Sequence, residues 1–165
     1  EAVVKALRQY DEEEKNRDGM DIAMVKCKME VEQSEIPISI GNGRWKMEFA
    51  GAMRPMYVMR EKELIEIKGN KFPIGGIQTG EKRIFTNHTL HLNQGDTFYL
   101  FSDGYVDQFG GEDGKKLMTK KFKELLLSIQ DKSMQKQKEI LTKTFSEWKG
   151  ELGQVDDILV IGVKI

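Results

Sequence analysis

The chain has 165 residues, 39% hydrophobic and 32% charged, which suffices for one domain with a buried core and is too apolar for a disordered segment. Its 26 basic and 27 acidic residues give a formal charge of −1 and exclude the basic excess that a nucleic-acid backbone demands. The longest apolar runs, Phe98 to Phe101 and Ile158 to Ile161, fall far short of the roughly 20 residues that cross a bilayer, and the lone Cys27 excludes an internal disulfide and a multi-cysteine zinc site. These features describe a soluble, cytoplasmic chain with no nucleic-acid partner and no membrane contact from this segment. Glu1 stands where an initiator methionine would, and no apolar signal region follows it, so the chain reads as a piece of something longer.

Val3, Leu7 and Tyr10 follow helical spacing and predict the end of an amphipathic helix running into the charged stretch 11–18. From Ala23 the period changes to two: Ala23, Val25, Cys27, Met29 and Val31 face one way, and Lys26, Lys28, Glu30 and Glu32 the other. Strands over 36–40 and 44–50 flank the turn Gly41-Asn42-Gly43, and Met56 to Arg60 with Glu63 to Ile67 form a second hairpin around Glu61-Lys62. The glycine-rich stretch 69–80, with Pro73, predicts a loop or flap.

Phe85 to Leu92 and Thr97 to Phe101 predict a third hairpin across Asn93-Gln94-Gly95-Asp96. Two helices follow. One carries the stripe Leu117, Met118, Phe122, Leu125, Leu126, Ile129; the other carries Met134, Lys138, Leu141, Phe145, Trp148 and closes at Gly150. Ile158 to Ile165 ends the chain as a buried strand. Hairpins with amphipathic helices over them give an α+β class built on antiparallel sheets.

Acids stand at the ends of the most apolar strands. Phe98 to Phe101 runs directly into Ser102-Asp103-Gly104, and Asp156-Asp157 directly precedes Ile158 to Ile161. If the two strands are antiparallel neighbours, Asp103 and Asp156 share one rim of the sheet. Like charges gathered against a core need a raised pKa or a bound cation, and an all-oxygen donor set selects a hard ion such as magnesium or manganese. Aspartate beside glycine also caps turns, and spacing alone leaves both readings open.

Other chemistries fit poorly. A calcium loop counted from Asp103 has Tyr105 at its third position, Gln108 where glycine is needed and Gly114 where a bidentate glutamate is needed. Leu100 occupies the first glycine position of a Gly-x-Ser-x-Gly nucleophile motif around Ser102. His88 and His91 point to opposite faces of a strand, Asp107 and Asp113 read as loop acids, and Lys115, Lys116, Lys120, Lys121 and Lys123 as the solvated face of a helix.

Five segments occur in the order and approximate spacing of the SpoIIE-type domain: Asp18-Gly19-Met20-Asp21-Ile22-Ala23, Phe49-Ala50-Gly51-Ala52-Met53-Arg54-Pro55, Phe72-Pro73-Ile74-Gly75, Gly95 through Asp107, and Val155-Asp156-Asp157-Ile158-Leu159-Val160. The chain resembles that family, the bacterial branch of the type 2C metal-dependent serine/threonine phosphatases, over nearly its whole length. The resemblance implies an antiparallel β-sandwich flanked by helices, with paired manganese or magnesium ions on one rim. By the same resemblance Asp103 and Asp156 match metal ligands and Asp157 the less constrained neighbouring position, whereas Ala52 in Gly51-Ala52-Met53-Arg54 excludes a further metal.

The family's early Ser-Gly-Asp and Asp-x-x-Gly-His-Gly-like motifs are not found in residues 1–165. Residues 1–165 therefore read as a single partial phosphatase domain, its C-terminal portion without the first strands, holding one half-site at most of a two-ion centre and inactive alone. The implied reaction is hydrolysis of a phosphorylated regulatory protein, such as an anti-sigma factor antagonist, by metal-activated water. No catalytic residue beyond the metal ligands falls within the chain, the substrate-binding residues are unassigned, and an upstream sensor domain is expected in the parent. The alternative is a non-catalytic signalling module that docks a partner through the Lys115 to Lys123 face.

Overall fold

Alternating apolar and charged residues build the first sheet. The structure, a computed structural model, describes residues 19–30, 44–76 and 82–165; the expected helix end before residue 11 and the expected strand over 36–40 with its glycine turn lie outside the described residues. Strand β1 (Gly19–Met20) pairs antiparallel with β6 (Ile74–Gly75), so part of the expected 69–80 loop is a short strand. Strands β2 (Ile22–Glu30) and β3 (Arg44–Ala52) pair antiparallel along their full length, from Ile22 opposite Ala52 to Glu30 opposite Arg44. Strand β7 (His88–Leu92) adds to the other side of β3, placing His88 opposite Phe49 and His91 opposite Lys46. The central strand β3 buries Met47 and Phe49 completely.

These strands belong to one of two compact units, formed by the described residues up to Met56 together with 67–93. Its close packing depends on glycine at two places. A Cβ on Gly51 would lie 2.2 Å from the Arg54 carbonyl oxygen and one on Gly69 would lie 2.4 Å from the same atom. The Asn70 amide donates to Gly51 O at 2.8 Å, and the Arg54 guanidinium pairs with Asp21 at 2.9 Å. The first and second segments quoted for the family are thus joined by an ion pair, and the second is tied by close backbone contacts to Gly69 and Asn70 just ahead of the third.

The second unit holds residues 57–66 and 94–165. Its sheet runs in the order β11-β8-β4-β5, with β4 (Met56–Arg60), β5 (Glu63–Ile67), β8 (Thr97–Phe101) and β11 (Val160–Lys164). The hairpin between β4 and β5 turns at Glu61 and Lys62, whose φ values of 49° and 68° are those of a tight two-residue hairpin turn without glycine.

The expected third hairpin is not formed. Strand β7 pairs with β3, whereas β8 pairs with β4 and β11, so the chain leaves one sheet and joins another across 93–96. Asp96 explains the switch. Its buried carboxylate accepts from Arg60 Nε at 3.0 Å and from Arg60 Nη2, and its carbonyl accepts from the Ile165 amide at 2.9 Å. The side-chain hydrogen bond to Asp96 is the main cause that holds the Arg60 guanidinium above its ordinary pKa. The turn composition is real, but its acid anchors the start of β8 to β4 and to the chain end. Strand β11 also departs from expectation: it is the sheet's edge among the described residues, and Ile161 and Val163 are exposed rather than buried.

After β8 come α1 (Gly104–Asp107), the short antiparallel pair β9 (Phe109–Gly110) and β10 (Lys115–Lys116), α2 (Met118–Ile129) and α3 (Met134–Lys149). Leu117, Phe122, Leu126 and Ile129 are buried as the stripe predicts. Met118 is not: its φ of 72° turns it out of the helix and leaves it 58% exposed. Ser133 caps α3 by accepting from the Lys136 amide at 3.3 Å, and Gly150 closes it at φ 53°. Lys115 and Lys116 stand on β10 rather than on a helix, paired with Asp113 at 2.9 Å and Asp107 at 3.1 Å. Lys123 pairs with Glu66 at 3.1 Å, and Lys121 lies 3.9 Å from the Trp148 ring centre. The basic run is largely satisfied within the chain. No helix among the described residues is long and apolar enough to cross a membrane.

Aromatic rings fill the core between this sheet and its helices. Phe122 meets Phe101 edge-on at 5.0 Å and Tyr105 at 4.9 Å, and Tyr57 lies 4.7 Å from Phe101. Each buried phenol keeps a polar partner or its proton: Tyr105 donates to the Leu141 carbonyl at 2.9 Å, and Tyr99 bonds the buried amide of Gln137. Burial pushes the Tyr99 phenol up to about 12 and raises Tyr57 and Tyr105 as well, against about 10 in an unfolded chain. The folded state therefore keeps protons that the unfolded state loses above about pH 10, so this contribution is complete below that pH and is lost as pH rises through the folded values. We expect an alkaline titration followed by phenolate absorbance to show Tyr57, Tyr99 and Tyr105 ionising together with unfolding; their ionisation near pH 10 in folded protein would contradict the packing.

Candidate metal-binding rim

Antiparallel pairing of β8 with β11 sets Val160 opposite Phe101, so the segments just beyond these residues meet at one rim of the sheet. Ser102 joins them. Its amide donates to Leu159 O at 3.0 Å, its hydroxyl donates to Asp157 O at 2.8 Å, and the same hydroxyl accepts from the Leu159 amide at 2.9 Å. Three hydrogen bonds from one residue extend the ladder past the last paired strand residue. The nucleophile reading rejected from sequence is replaced by a positional role.

Asp103 follows as the N-cap of α1, with φ −74° and ψ −18°, and its carbonyl accepts from the Val106 and Asp107 amides at 2.9 Å. Its carboxylate makes no capping hydrogen bond to α1. Gly104 is buried against the opposing segment: a Cβ there would lie 2.4 Å from Asp157 O and 3.2 Å from Asp156 O. Position 104 must lack a side chain for the two acidic segments to approach. Asp156 turns one carboxylate oxygen onto the Asp157 amide at 2.7 Å, and Gln154 donates to Asp156 O at 2.8 Å.

The segments that carry Asp103 and Asp156-Asp157 thus meet at one rim of the sheet. Asp113 is a loop acid paired with Lys115, whereas Asp107 is the last residue of α1, not a loop acid, and pairs with Lys116. His88 packs beside Phe49 and His91 lies 3.6 Å from Glu30, both on or beside the three-stranded sheet. Among the described residues no group of three or more His, Cys, Asp and Glu could by itself hold a metal ion. The rim offers carboxylate, carbonyl and hydroxyl oxygen, a donor chemistry of the kind that suits a hard divalent cation.

Comparison with known proteins decides the lineage. The profile of the family described as Stage II sporulation protein E (SpoIIE) matches residues 36–165, most of the chain. The chain belongs to the SpoIIE family. Among solved structures, the SiaA-PP2C domain of Pseudomonas aeruginosa is similar with 30% identity and a TM-score of 0.67, over 75% of this chain and 50% of that one. The phosphatase domain of the cell fate determinant SpoIIE from Bacillus subtilis, presoaked with manganese, shares the fold at 13% identity and a TM-score of 0.53, over 99% of this chain and 65% of that one. The chain therefore spans less than two thirds of either relative's length. No curated protein matches it. The α+β class with antiparallel sheets is that of the PP2C phosphatase domains, and these relatives of the SpoIIE family are phosphatases, hence hydrolases.

Sequence reasoning missed Ser102 as the clasp and Gln108, whose buried side chain reaches the Gly153 carbonyl at 2.9 Å. For Ser102 the only available signal was a polar residue directly after an apolar strand, which is too common to single it out, and for Gln108, at the end of α1, there was none. Gly104→Ala should force the two segments apart, lowering stability by about 1–3 kcal/mol and speeding hydrogen exchange of the Leu159 amide. A variant of unchanged stability in urea unfolding would show that the close approach is not needed.

Proposed function

We propose that the chain is the C-terminal part of a metal-dependent serine/threonine protein phosphatase domain in which Asp103 and Asp156, with Asp157 beside them, supply ligands to one of two manganese or magnesium ions. The observation that carries this reading is the rim itself: β8 and β11 pair so that the segment carrying Asp103 and the segment carrying Asp156 and Asp157, far apart in sequence, meet across a side-chain-free glycine. Membership of the SpoIIE family and similarity to two phosphatase domains support it. When bound, such ions activate water and neutralise charge on the phosphoryl oxygens.

The chain's own residues contribute position. Ser102 and Gly104 fix the spacing of the acidic segments, and Asp156 and Asp157 are exposed on the 151–157 loop. On this reading the substrate is a phosphorylated regulatory protein, such as an anti-sigma factor antagonist, met in the cytoplasm, and the parent polypeptide carries an upstream sensor domain. The rival reading, a docking module using the lysines of 115–123, loses support because Lys115, Lys116 and Lys123 already hold carboxylates of the chain.

Two outcomes test the proposal. In the complete polypeptide, Asp103→Asn should lower manganese-dependent hydrolysis of a phosphoserine peptide by at least about a hundredfold while leaving circular dichroism and thermal unfolding unchanged; full activity would remove Asp103 from the metal site. Residues 1–165 alone, holding only part of a coordination shell, should bind manganese weakly and turn over little phosphopeptide; turnover at the rate of the complete polypeptide would refute the half-site.

A further inference from the structure

Gln108 is fully buried in the second unit, where an unpaired amide would be costly. Both polar ends of its side chain are used. Its side-chain nitrogen donates to Phe109 O at 3.0 Å and to Gly153 O at 2.9 Å, and its side-chain oxygen accepts from the Val155 amide at 3.3 Å. Its backbone carbonyl accepts twice more, from the Leu117 amide and from the Trp148 indole, both at 3.0 Å. The residue is therefore held by the segments leading into α2 and by α3, and it holds the loop between α3 and β11.

That loop carries Asp156. Residues 151–157 are all exposed, so hydrogen bonds rather than packing hold the segment. Two clasps bracket the acid: Gln108 at Gly153 and Val155 before it, and Ser102 at Asp157 and Leu159 after it. Asp103 and Gln108 flank the same four-residue helix α1, one at each end. Gln108 thus ties the loop to the element that presents Asp103. We infer that Gln108 is a positioning residue of the metal rim, setting Asp156 relative to Asp103 through the backbone of Gly153 and Val155. The inference rests on the reading of the rim as a metal site.

The test uses Gln108→Met in the complete polypeptide, a change that keeps the side chain's length and apolar packing and removes its hydrogen bonds. Manganese affinity, read by electron paramagnetic resonance of the free ion, should weaken about tenfold, the usual cost of losing a residue that orients a ligand. In the metal-free protein the Asp157 amide, which is bonded to the Asp156 carboxylate rather than to Gln108, should exchange faster. Ile129→Ala, a core change on α2, serves as the comparison: it should lower thermal stability and leave manganese affinity of the folded protein unchanged. Asp103→Asn separates the two levels of the argument. If it loses manganese affinity while Gln108→Met keeps it, Gln108 has no positioning role and the rim reading stands. If Asp103→Asn binds manganese as tightly as the original protein, the rim reading fails and the inference fails with it. An equal loss in Gln108→Met and Ile129→Ala would also overturn it, since general destabilisation would then explain both.

Discussion

The antiparallel pairing of β8 and β11 is the contact on which the functional reading depends. It spans Thr97 to Phe101 against Val160 to Lys164, segments separated by the whole helical part of the chain. Closing so long a loop costs entropy that only the buried face of the sheet and the aromatic core can offset. Phe101, Tyr57, Tyr105 and Phe122 supply that core. Ser102 then carries the pairing beyond the last ladder position, and the acids arrive at the rim because the strands end there.

Much of this organisation was visible in residue order. Alternation marked β2 and β3, and the hairpin around Glu61-Lys62 was correctly placed although neither turn residue is glycine. Asp103 and Asp156 could be singled out because each lies one residue away from an uninterrupted apolar run, so an acid is held near the boundary of the core whatever its partner. The helical stripes were correct in their buried members and wrong at Met118, where a left-handed backbone breaks the period that the side chains continue.

What could not be read has a common physical origin. The stretch 93–96 has the composition of a hairpin turn, yet Asp96 spends its carboxylate on Arg60, 36 residues away, and the chain changes sheets. The final strand is as apolar as a central one but has a neighbour on one side only among the described residues, which composition cannot register. Gln108 and Ser102 act on main-chain atoms 45 to 57 residues distant. A backbone carbonyl or amide is offered by every residue, so such contacts leave no pattern in the recipient's identity and become legible only once the chain is folded.

The glycine at 104 carries one more consequence, for how such a rim can diverge. Because the facing carbonyls occupy the volume of a would-be Cβ, the gap between the two acidic segments is inherited from the path of the main chain. Substitutions among the surrounding exposed residues can therefore retune charge or ligand preference one at a time, while the spacing itself holds as long as position 104 stays glycine. Descendants of this fold would keep the frame and vary its decoration.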